Sequence, residues 1–148
     1  MIKYLECPDT YFTGGDKVTV FLAGGITGCF DWQKTITMLL ADSDLVIFNP
    51  RRDDFPIDDP FASETQIEWE FDHLARADRI LFWFPTVNAA GCPIALFELG
   101  RWLTSDKPIA VGVEPGYERE ADVRIQVGLA RPDVNIVSTL ADLAEMVK

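Results

Sequence analysis

An alternation constrains this chain more than any other feature: short, almost wholly apolar runs rich in β-formers are separated by stretches with helical spacing. The runs are VTVFLA (18–23), LVIFN (45–49), RILFWF (79–84), PIAVGV (108–113) and VNIVS (134–138). Strands apolar at nearly every position need cover on both faces, as in a parallel sheet flanked by helices. Helical stretches near residues 30–42, 63–77, 93–104, 119–130 and 139–147 supply that cover. The alternation predicts an α/β fold, a doubly wound flavodoxin/Rossmann-like sheet of about five parallel strands. Right-handed crossovers leave few topologies, and the order 2-1-3-4-5 is expected for the five runs. The first 17 residues fall outside the rhythm. Asp9, Gly14, Gly15 and Asp16 mark turns there, while Tyr4, Leu5, Tyr11 and Phe12 predict a short N-terminal arm or hairpin on the sheet edge.

Size and charge narrow the partners. At 148 residues the chain is expected to form one domain, residues 1–148, with a proper core. A net charge of −11 argues against a nucleic-acid polymer, whose affinity comes largely from Lys and Arg neutralising phosphates. No apolar run approaches the roughly 18–20 residues needed to cross a bilayer, and MIKYLECPDT lacks the build of a signal peptide. The three cysteines, Cys7, Cys29 and Cys92, have neither metal-ligand nor redox-motif spacing, so a reducing cytoplasm is expected. With His73 as the single histidine, neither a metal nor a cofactor is expected. His73 itself reads as a helix-surface or half-buried residue.

In open α/β sheets, ligands bind beyond the carboxyl ends of the strands where the strand order reverses. The chain loads those ends. The first run leads into Gly24-Gly25-Ile26-Thr27-Gly28, the second into Asn49-Pro50-Arg51-Arg52-Asp53-Asp54, the third into Pro85-Thr86-Val87-Asn88. The glycine loop lets backbone N–H groups approach a ligand, but it has neither the dinucleotide spacing nor the P-loop lysine. A tight turn is the alternative reading.

Glu98 is the sharper signal. Pro93 opens a helix, and Glu98 then stands among Ile94, Ala95, Leu96, Phe97, Leu99 and Trp102. Such a carboxylate must reach a solvated pocket, find a cation, or shift its pKa upward. Arg101 or Arg76 is the bland partner; the functional reading aims the acid into the crevice for nucleophilic or acid–base work. A second acidic helix follows Ser63, a candidate N-cap with Gln66 at the capping-box position. Gln66, Glu70 and His73 share one of its faces, Glu68 and Asp72 another, with Ile67, Phe71 and Leu74 expected toward the core. Glu70, bordering that core side, is the better functional candidate; a solvated face is the alternative for every acid here.

VFLAGGITG, NPRRDD, QIEWEFDHLARAD and above all FELG after RILFWF together resemble the nucleoside 2-deoxyribosyltransferase family, in a divergent deoxyribosyltransferase-like branch. The similarity is close over about 18–104 and looser beyond. It implies an enzyme that moves 2-deoxyribose between nucleobases, with Glu98 attacking the anomeric carbon of a 2′-deoxynucleoside. The base leaves, a glycosyl-enzyme ester forms, and a second base or water resolves it. The resemblance also implies a carboxylic acid that serves the leaving base. Counting back from Asp78 places it at Glu70, with Asp72 as the fallback. Two family features are replaced: Cys92 stands where nucleoside-specific members carry an aspartate, and Phe21 near an orienting tyrosine. Sugar contacts are then expected from Gly24, Gly25, Ile26, Asn49 and Asn88. Related 2′-deoxynucleoside 5′-phosphate N-hydrolases bind phosphate near this crevice, a part Arg51 could take. The implied partners are a deoxynucleoside (or deoxynucleotide) and a free nucleobase. The family also implies a homo-oligomer in which a neighbour's C-terminal segment, with Asn135 the candidate, closes the pocket. A nucleotide N-hydrolase and a non-catalytic nucleotide-binding module are the competing readings.

Overall fold

A computed structural model describes residues 3–11 and 15–148; Phe12 and Gly14, assigned above to the N-terminal arm, lie outside the described residues. Six strands form one parallel sheet: β1 (Lys3–Glu6), β2 (Val18–Gly24), β3 (Leu45–Asn49), β4 (Arg79–Phe84), β5 (Ile109–Val113) and β6 (Ile136–Val137), in the order β1-β3-β2-β4-β5-β6. The five strands expected from the apolar runs stand in the expected relative order. The correction is at the edge: residues 3–6 are neither arm nor hairpin but a sixth strand, pairing parallel with β3 from Lys3↔Val46 to Glu6↔Asn49. Its sequence, KYLE, is short and half charged, which suits an edge strand and hides it from a search for apolar runs.

Helices α1 (Trp32–Leu39), α2 (Ala62–Arg76), α3 (Pro93–Leu103), α4 (Glu120–Ala130) and α5 (Leu140–Glu145) cover the sheet. Successive side chains of a strand point to opposite faces, and β2 shows the result. Phe21 and Ala23 join Phe48, Phe82 and Phe84 in a core with Trp69, Leu74, Ala95, Leu99, Val123 and Val127 from α2, α3 and α4. Val20 and Leu22 join Ile47, Leu81 and Trp83 in the opposite core, with Trp32, Ile36, Leu143 and Ala144 from α1 and α5. Each large apolar side chain buried this way contributes about 1.5–3 kcal/mol.

Helix α2 departs from its periodicity. Its N-cap is Phe61, without a side-chain cap, so Ser63 lies inside the helix and forms no capping box. Ile67 and Phe71 are 66% and 58% exposed, while Trp69, His73 and Leu74 are buried. The cause is aromatic packing. Trp69 and His73, four residues apart, stack at 4.0 Å, and His73 meets Phe48 of β3 edge-on at 4.9 Å. That stack seats on the sheet and turns Ile67 and Phe71 outward. His73 is therefore a core residue rather than a surface one. Its Nδ1 lies 2.8 Å from the Trp69 carbonyl, and burial lowers its pKa, so the ring is neutral near pH 7.

Candidate active site

The order of the strands reverses between β2 and β4, and a cleft of about 370 Å³ opens at their carboxyl ends. Its floor is the loop from Ala23 to Thr27. Gly25 is required there: a Cβ would sit 2.7 Å from the Cys29 sulfur, 2.7 Å from the Cys92 sulfur and 3.2 Å from Pro85. Its carbonyl accepts from the Trp32 indole at 2.8 Å, tying the loop to α1. Gly28 has φ +71°, and an added Cβ there would stand 2.9 Å from the Ala89 nitrogen. That approach lets the Ala89 N–H donate to the Thr27 carbonyl at 3.1 Å, so the loops after β2 and β4 close one rim together.

Helix α3 forms a wall. Cys92 adopts the left-handed conformation (φ +57°) at its N-cap and Pro93 starts the first turn. Cys92, Pro93, Ile94, Ala95 and Glu98 line the cleft. Glu70 from α2 and Pro50 from the end of β3 line it as well. The bland partners of Glu98 are engaged elsewhere. Arg76 pairs with Asp72 at 3.0 Å, and the Arg101 guanidinium lies over the Phe71 and Trp102 rings at 4.3 and 4.8 Å. Among the described residues Glu98 has no ion pair. Burial first, then the charge of Glu70, pushes its carboxyl up to about 8, with Arg101 opposing. Burial raises Glu70 too, against a hydrogen bond from Gln66 that lowers it. Two partly buried carboxyls thus line one cleft, and the charge of Glu70 bears on Glu98.

The other candidates divide. Gly24, Gly25, Ile26 and Asn88 line the cleft. The Asn88 amide donates to the Pro85 and Thr86 carbonyls at 2.9 and 3.3 Å, so this side chain shapes its own loop. Three others lie outside the lining. Asp72 serves Arg76. Asn49 is buried, donates to the Tyr4 hydroxyl and accepts from the Arg51 backbone N–H at 3.0 Å. The Arg51 side chain donates to the carbonyls of Phe30 and Cys29 at 3.2 and 3.1 Å and to Gln33 at 3.3 Å, stapling the end of β3 to the entry of α1. The edge strand explains Asn49, because only β1 brings Tyr4 to it.

Sequence reasoning set Thr27 and Pro50 at the loaded strand ends without giving them a part, and it missed Ile94 as lining and Gln66 as the partner of Glu70. The four-residue spacing of Gln66 and Glu70 was a usable signal. Cys92, singled out only as a replacement, is pushed up to about 12 by burial first and Cys29 second, and Cys29 is raised by burial too. Both are neutral thiols near pH 7, not nucleophiles.

The family model of nucleoside 2-deoxyribosyltransferase-like proteins matches residues 17–117. The chain belongs to that family. Every residue lining the cleft of this deoxyribosyltransferase-like chain, from Ala23 to Glu98, falls inside the match. The crystal structure of a conserved protein from Enterococcus faecalis V583 shares the fold, with a TM-score of 0.61 at 17% identity over 88% of this chain and 97% of that one. No curated protein is significantly similar. No helix among the described residues is long and apolar enough to cross a membrane.

Proposed function

We propose that the chain transfers 2-deoxyribose between nucleobases through a covalent ester on Glu98. One observation carries this reading: Glu98 and Glu70 face one small, largely apolar cleft at the strand tips, and Glu98 has no ion pair among the described residues. A carboxylate so placed can attack an anomeric carbon as positive charge develops on the sugar, while the second carboxyl handles the proton the departing base needs. The apolar lining from Ile26, Pro50, Ile94 and Ala95 suits a flat base and a sugar more than a charged group. Gly24 and Gly25 bring backbone close to the ligand, and Asn88 braces the loop opposite.

The experiment is base exchange. Protein incubated with a deoxynucleoside and a second free base is expected to yield the second deoxynucleoside. Free sugar as the sole product would make the chain a hydrolase, and no product with any base pair would leave a binding module. Adding a 5′-monophosphate to the donor is expected to slow the reaction. Arg51 is taken up by Cys29, Phe30 and Gln33, and no Lys or Arg stands among the cleft-lining residues, so an anion would meet two carboxyls.

The same reading includes a homo-oligomer. Ile67 and Phe71 of α2 and Ile94 and Phe97 of α3 are all exposed, Arg101 of α3 lies over the Phe71 ring, and Ile94 also lines the cleft. A second copy seated on these side chains would shield them and narrow the cleft beside Ile94. Sedimentation equilibrium at micromolar concentration is expected to give at least a dimer; a monomer throughout would remove this part.

A further inference from the structure

Gln66 sits behind Glu70 in an unusual position. One nitrogen, Nε2, donates to the Pro50 carbonyl at 2.8 Å and to Glu70 Oε1 at 2.8 Å, while the amide oxygen is buried with no partner. A carbonyl can only accept. Pro50 therefore fixes which end of the amide faces Glu70: turning it over would set two oxygens against each other and forfeit both bonds. The amide so held presents a donor, and a donor favours the charged form of a carboxyl. Glu98 has no hydrogen-bond donor among the described side chains that does the same for it.

We propose that Gln66 is a positioning residue that keeps Glu70 charged in the empty site, so that the single proton of the pair rests on Glu98 and Glu70 acts as a relay rather than a proton store. The inference rests on the transfer reading for its use and on the hydrogen bonds for its existence. The balance closes. As positive charge develops at the anomeric carbon, the Glu98 proton passes to the Glu70 carboxylate, which hands it to the ring nitrogen of the base. The C–N bonding pair leaves with the base, and a Glu98 oxygen forms the new C–O bond. Glu98 ends as an ester, Glu70 ends charged as it began, and the base carries the proton away. An incoming base reverses each step. Glu70 is charged in both stable states, the form Gln66 supports, and is protonated only between them.

Other groups near the pair do not reverse this assignment. Facing Glu70 are Glu98 of α3 and the thiol of Cys7, itself 3.9 Å from Arg52. Facing Glu98 are Glu70, the neutral Cys92 thiol and Arg101 of its own helix, whose guanidinium lies over two aromatic rings.

The test is a titration of the side-chain carboxyl carbons of the full chain labelled with ¹³C-glutamate, with signals assigned from Glu70→Gln and Glu98→Gln. Glu70 is expected to lose its proton at lower pH than Glu98. In Gln66→Met, which keeps the length and removes the donor, the Glu70 midpoint is expected to move up by about one unit. The acid limb of the kcat/KM profile should follow it while the alkaline limb stays within a few tenths of a unit. Glu98 titrating first in the unmodified chain, or a Glu70 midpoint unmoved in Gln66→Met, overturns the proposal. The order in the unmodified chain decides even if the variant does not fold. The titration needs no turnover, so a chain that titrates as expected yet exchanges no base would sink the transfer reading alone.

Discussion

Glu98→Gln is expected to cut base exchange by on the order of 10⁴-fold or more, with KM nearly unchanged. The amide keeps the volume and much of the polarity of the carboxyl, so substrate should still enter the cleft. What disappears is the oxygen nucleophile and the negative charge facing the sugar, both used only in the transition state. A loss confined to kcat is the signature. Intact-protein mass spectrometry after exposure to a 2-fluoro-deoxynucleoside should show a glycosyl adduct on the unmodified chain and none on the variant. An adduct that survives in Glu98→Gln, or a variant within tenfold of the parent, would place the chemistry elsewhere.

The same substitution is expected to make the protein more stable, by about 2–4 kcal/mol at pH 9 and by little at pH 5. An unfolded chain releases the Glu98 proton near the ordinary carboxylate value of 4.5, whereas burial and the Glu70 charge hold it up to about 8 when folded. Between those values the folded state keeps a proton that the unfolded state has lost, so this group's contribution to stability falls as pH rises. Above the folded value the chain carries the full penalty of a desolvated charge beside a like charge. Each pKa unit corresponds to about 1.4 kcal/mol, and burying an imperfectly satisfied amide takes back part of the gain. Urea unfolding at pH 5, 7 and 9 checks it: the two proteins should diverge as pH rises. Parallel curves at all three values would mean that Glu98 ionises normally and is no tuned nucleophile.

Both effects have one origin. A carboxyl kept in an apolar wall without an ion pair is costly to the fold and useful to the reaction, a trade expected at functional sites. The sequence carried that tension in plain view, since an acid among Ile94, Ala95, Leu96, Phe97 and Leu99 has few ways to exist. The choice between a cleft and a cation was not legible. It depended on Arg76 meeting Asp72 and on Arg101 lying over Phe71, contacts that involve the outward turn of α2.

That turn shows where periodicity runs out. Ile67 and Phe71 have the spacing of a core stripe, yet the stacked rings of Trp69 and His73 pack against Phe21 and Phe48 and take the sheet-facing side. A pattern of apolar residues says that one face is buried, not which of two plausible faces wins on shape. Edge strand β1 escaped for the opposite reason. Its four residues bury little, and their place is set by backbone pairing with β3. From β1 follows the Tyr4–Asn49 contact, which engages an amide expected among the sugar contacts.

The amino-acid sequence alone determined the α/β alternation, the relative order expected of five strands and the address of the cleft, because these depend on local periodicity and on crossover handedness. Tertiary structure decided the partners: Arg51 spent on the α1 entry, Gln66 turned by Pro50 toward Glu70, and Glu98 left without an ion pair among the described residues. Hydrogen bonds and ion pairs between distant segments select on distances of a few tenths of an ångström, and no one-dimensional spacing encodes those.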